Sequence, residues 1–75
     1  MDFTEKAGIR VDHWISHNED HLKEYEAFAE ELEAEGNQET AAHIREMATL
    51  MTLSTRCLHR ASETLGVIGK EESHV

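Results

Sequence analysis

Apolar residues recur along this chain at helical spacing in two stretches separated by one break. In the first stretch they are Val11, Trp14, Ile15, Leu22, Tyr25, Phe28, Ala29 and Leu32. At about 100° per residue, Trp14, Asn18, His21, Tyr25 and Leu32 fall near the centre of that stripe, and most glutamates fall outside it. The pattern predicts an amphipathic helix over about residues 9–35. Gly8 leaves its start open, with Asp12 as an alternative cap.

The break is Glu35-Gly36-Asn37-Gln38. Gly36 suits the left-handed residue that ends a helix, and Asn37 suits the cap of the next one. So short a connection makes the two helices antiparallel neighbours. The second stretch, over about 38–66, alternates by three and four through Ile44, Met47, Met51, Ser54, Leu58, Ala61 and Leu65. Ala48, Leu50, Leu53 and Cys57 widen the apolar surface beyond that seam. A two-helix hairpin covers one stripe per helix, so the extra width calls for another helix pair. The expected fold is all-α, an antiparallel two-helix hairpin that dimerises into a four-helix bundle. Gly66 and Gly69 predict a loosened tail over 67–75.

Size agrees with a need for a partner. Seventy-five residues make one domain and bury little core alone. The net charge of -9 leaves no basic face, which excludes binding to nucleic acid and disfavours an anionic membrane surface. Glu24, Glu26, Glu30, Glu31, Glu33 and Glu35 read mainly as a solvated helix face. The single cysteine forms no internal disulfide, the N-terminus has no signal-peptide pattern, and no apolar run spans a bilayer. A reducing, cytoplasmic location is expected.

The candidate chemistry lies in His13-Trp14-Ile15-Ser16-His17-Asn18-Glu19-Asp20-His21. His17 and His21 stand one turn apart, the spacing by which a helix offers two ligands to a transition metal. In a hairpin turning at Gly36, facing residue numbers sum to roughly 73 at equal rise. Cys57 then lies level with His17, and two imidazoles with one thiolate can converge where the helix flanks meet. Glu24 is a candidate fourth ligand, and Asp20 a carboxylate that orients an imidazole. Such donors suit zinc or nickel, with cobalt and copper also possible, and not calcium or magnesium. No organic cofactor is expected.

Blander readings stand beside this one. His21 can be a core histidine, Cys57 a small hydrophobe, and Asn18 a polar residue that fixes register. His13 falls off the stripe, and His43, His59 and His74 have no evident convergent partner. Met47 and Met51 read as packing residues before haem ligands, and Cys57-Leu58-His59 is not a haem attachment motif. Asn18-x-x-His21 is not the Glu-x-x-His of di-iron bundles.

The run His13-Trp14-Ile15-x-His17-Asn18-x-x-His21-x-x-x-Tyr25, followed by a Gly-broken second helix, resembles a small prokaryotic helical-hairpin domain of unknown function. The resemblance covers most of residues 11 to 65, implies metal transfer or sensing, and makes Trp14, His17, Asn18 and His21 its motif positions. Cys57 lies outside that motif. The expected function is metal storage, delivery or sensing through His17, His21 and Cys57. The alternative is a non-enzymatic interaction module anchored by Trp14 and Phe28, with incidental histidines. An enzyme that activates water on an open metal position ranks third, because the chain shows no evident base or pocket.

Overall fold

Asp2 opens the first helix. Its backbone is extended, and its carboxylate accepts the Glu5 N–H at 2.8 Å, the bond that satisfies a helix N-terminus. The structure is a computed structural model that describes the backbone of residues 2–74 and the side chains of residues 2–66. Helix α1 spans Phe3–Ala34 and helix α2 spans Gln38–His74. Gly8 does not interrupt α1, because Asp2 already supplies its cap. Asp12 instead accepts a hydrogen bond from the Ser62 hydroxyl across the hairpin at 3.0 Å. The tail expected at 67–75 falls outside the residues whose side chains are described.

The turn follows from three residues. Gly36 has φ 88°, a conformation that costs a side chain roughly 1–2 kcal/mol. Its N–H donates to the Glu33 carbonyl at 3.0 Å, and the Asn37 N–H donates to Leu32 at 2.8 Å. That pair of bonds is the Schellman closure of α1. The Asn37 carbonyl then accepts Ala41 N–H at 3.0 Å and starts α2.

The least exposed residues define the line along which the helices meet. On α1 they are Gly8, Val11, Ile15, Asn18, Leu22, Tyr25, Ala29 and Leu32. On α2 the line runs through Ala41, Ile44, Ala48, Met51, Thr55, Leu58, Ser62 and Leu65, with Thr52, Ala61 and Gly66 partly buried beside it. Both sets alternate by three and four, and each α1 residue pairs by level with an α2 residue at a constant sum, Gly8 with Leu65 through to Leu32 with Ala41. This is an antiparallel heptad seam, in which a and d positions meet, e positions flank one side and g positions the other.

The seam on α2 is rotated from the expected one. Ile44, Met51, Leu58 and Leu65 stay in it, but Ala48 and Thr55 replace Met47 and Ser54, and Ser62 joins the partly buried Ala61. Small side chains at the helix line let the backbones approach. Ala29 and Ala41 are wholly buried and Ala48 nearly so, whereas Met47 is 37% exposed. The polar seam residue Thr55 donates to the Met51 carbonyl at 2.8 Å, which removes the cost of its partly buried hydroxyl. Among the described residues, Ile15 is the one large side chain in the buried core, and none is fully enclosed.

The two flanks differ in kind. On the e side the Arg45 guanidinium reaches Glu33 at 2.8 and 3.4 Å, and His59 Nε2 lies 3.9 Å from a Glu19 oxygen. An open groove of about 330 Å³ on this side is lined by Leu22, Glu26, Glu30, Arg45, Ala48, Thr49 and Thr52. The opposite, g side presents Trp14, His21 and Phe28 from α1 and Met47 from α2, with Leu50 and Cys57 one position further out. Trp14, Phe28 and Leu50 are half exposed or more. From Thr40 to Thr64, the g and c positions of α2 hold no Lys, Arg, Asp or Glu. On α2 the charges keep to the e side and the back, whereas the c positions of α1 on the g side carry Arg10, Glu24 and Glu31.

Hydrogen bonding and attraction to Arg45 hold the Glu33 carboxyl below its ordinary value. A lowered folded-state value means the contribution is present above the unfolded titration and lost as pH falls through the folded one. Both partners are solvated, so the contribution is small. An NMR titration is expected to place the Glu33 midpoint below that of an ordinary glutamate, and Arg45→Met to return it there. A Glu33 midpoint indifferent to Arg45→Met would show that the cross-helix pair does not form in solution.

Candidate metal centre

Four side chains of α1 stand one above another at intervals of four residues: His13, His17, His21 and Tyr25. Successive i to i+4 steps drift by about 40° around a helix, so the row crosses α1 obliquely. It begins at His13 on the outer surface and ends at Tyr25 in the seam. The His13 and His17 ring centroids are 4.4 Å apart and tilted by 53°. The His17 and His21 centroids are 6.1 Å apart. His21 lies nearly parallel to Tyr25, with centroids at 6.0 Å and planes 12° apart. Its Nδ1 is 3.7 Å from a Glu24 carboxylate oxygen.

Of the expected site residues, His17, His21 and Glu24 are therefore brought together on one helix. Cys57 is free and exposed on α2. His17 and Cys57 both occupy c positions, which point away from the line between the helices. Among the described residues, no three His, Cys, Asp or Glu side chains group closely enough to hold a metal ion. A His/His/Cys set is thus not gathered within a single chain, and further ligands would come from solvent or from a second molecule.

His13 was the missed member of this row. It lies off the apolar stripe, but its spacing from His17 repeats that of His17 from His21, and that repeat was the available signal. Asn18 sits in the seam, half buried, where its side chain does not join the histidines. His59 has a partner after all in Glu19, on the opposite side of the hairpin.

An acidic helical hairpin with a row of exposed histidines on one helix is the class that fold and site define. The chain belongs to the family described as a domain of unknown function, DUF8180, which matches residues 8–65. Those bounds coincide with the first and last seam residues, Gly8 and Leu65, so the matched segment is the packed part of the hairpin. Comparison with curated proteins and with solved structures finds no match. Among the described residues, no helix is long and apolar enough to cross a membrane.

Proposed function

We propose that this chain is a small homodimeric protein that binds a transition metal ion, zinc or nickel, through the imidazoles of α1. Its use is storage, delivery or sensing, not turnover. The observation that carries the reading is the histidine row, in which neighbouring rings stand 4.4 and 6.1 Å apart on a solvent-facing helix. Imidazole nitrogen favours these metals, and open coordination positions favour exchange over permanent structural binding. The acidic chain also attracts cations to its surface.

A second copy is proposed to cover the apolar side, which makes a four-helix bundle. Two observations support this occupant. The chain exposes 5915 Å², against roughly 4,700 Å² for a compact monomer of its 8.6 kDa mass. That excess, roughly 1,200 Å², is more than the ~800 Å² one partner buries in a standard interface. The covered surface on α2 is free of charge in a chain of net charge -9, so α2 adds no self-repulsion between copies there. In that assembly His17, His21, Glu24 and Cys57 share the covered side, where the full ligand set of the sequence can gather across two copies. The free thiol of Cys57 suits a reducing, cytoplasmic setting.

Elemental analysis of freshly purified protein is the test. About one metal per chain is expected, lost when His17 and His21 are both changed to Ala. Metal-free protein that also takes up none on titration would retire the reading. If the chain then still formed complexes that Leu50→Glu disrupted, the interaction-module reading would take its place.

A further inference from the structure

We infer that the anchoring chelate is His13 with His17, a pair that begins outside the proposed dimer interface, and that His21 is the secondary ligand. The inference rests on the metal-binding reading and narrows it to two atoms' worth of geometry. With metal–nitrogen bonds of about 2.0–2.1 Å, two imidazoles sharing one ion at right-angle to tetrahedral geometry have centroids roughly 4.5–5.2 Å apart. His13 and His17, at 4.4 Å, are within a small side-chain adjustment of that range. His17 and His21, at 6.1 Å, must close by nearly a full ångström.

His21 is also otherwise engaged. It stacks on Tyr25, itself half buried in the seam, and its Nδ1 faces Glu24. Recruiting it to an ion requires breaking both contacts. His13 carries no such restraint toward a carboxylate, and it lines an open surface groove with Lys6, Ile9, Arg10 and Trp14. The cations Lys6 and Arg10 border the groove away from His17, so the ion is placed on the His17 side of His13. There water completes the coordination and incoming ligands have access, which is what a transferable ion requires.

Trp14, the chain's single tryptophan, adjoins His13 and reports on this position. Ni2+ alone, titrated into the full chain, is expected to quench Trp14 fluorescence in a saturable way. His13→Ala is expected to weaken Ni2+ binding at least on the order of 10- to 100-fold, since even an outer partner of a metal ligand contributes that much. His59→Ala, on the opposite side of the hairpin, is expected to leave the affinity within about threefold, the reach of an ordinary surface change. Both positions are exposed, and unchanged circular dichroism would confirm that each variant folds. If His21→Ala abolishes binding while His13→Ala does not, the inference is wrong and the metal-binding reading stands. If the wild-type chain binds no Ni2+, both fall and the His13–His17 approach is an aromatic contact only.

Discussion

Leu50→Glu is expected to halve the solution mass of the protein and to make its thermal midpoint independent of concentration. Leu50 is 60% exposed in the single chain, so a carboxylate there replaces apolar surface that water already reaches. For a chain that works alone, such a change stays within about 0.5 kcal/mol and tends to improve solubility. For the proposed assembly the same change buries a carboxylate without a partner, and two-fold symmetry imposes it twice. Each uncompensated buried charge costs several kcal/mol. Dimer affinity should therefore fall by on the order of 100-fold or more. Leu53→Glu is the matched control. Leu53 is also apolar and 48% exposed, but it lies on the back of α2, away from the g side. It should leave the mass unchanged. Sedimentation of the three proteins at equal concentration decides the matter. A wild-type mass near 8.6 kDa, or a Leu50→Glu protein with the wild-type mass, would remove the second copy from the proposal.

The hairpin itself is legible in the sequence because its signals are local. Helical periodicity, a glycine that tolerates φ 88° and an asparagine after it lie within a few residues of the structure they cause. The level pairing across the hairpin follows from equal rise, and the seam obeys it from Gly8 opposite Leu65 to Leu32 opposite Ala41. The rotation of α2 is less accessible. Two stripes at alternating three and four share Ile44, Met51, Leu58 and Leu65, one passing through Met47 and the other through Ala48. Hydropathy favours the first. Interhelical distance favours the second, because alanine at the contact line permits close approach and methionine does not. Only the packed pair of helices compares those two effects.

The site is legible to the same depth. Spacing alone marks His17 and His21 as neighbours and puts Glu24 beside His21, as the structure has them. A projection of α1 onto one fixed stripe hides His13, since the row of imidazoles drifts from the outer surface toward the seam. It also puts His21 near the core, where the structure has Leu22 and Tyr25 partly buried and His21 exposed. The position of Cys57 depends on the rotation of α2 and inherits that uncertainty of the sequence. With Ala48 in the seam, Cys57 turns outward.

Ala29→Leu is expected to lower the thermal midpoint by about 5–20 °C. Overpacking a close contact typically costs 1–3 kcal/mol, and each kcal/mol moves the midpoint of a domain this size by roughly 4–8 °C. Ala29 and Ala41 have no exposed surface and lie within a few residues of the turn on opposite helices. The Gly36 closure fixes the helix ends there, so the helices cannot separate locally without straining the turn. The cost is large for this protein because its core is thin. Among the described residues, Ile15, Ala29, Ala41 and Ala48 make up the buried apolar core, and small domains have only about 0.05–0.15 kcal/mol of stability per residue. Ala42→Leu, on the exposed surface of α2 next to Ala41, should leave the midpoint unchanged and serves as the control for added bulk and helix propensity. If Ala29→Leu melts with the wild type, the helices do not meet at the alanines. The seam would then return to Met47, Ser54 and Ala61, the apolar side of α2 would turn inward, and both the second copy and the outward position of Cys57 would lose their structural basis.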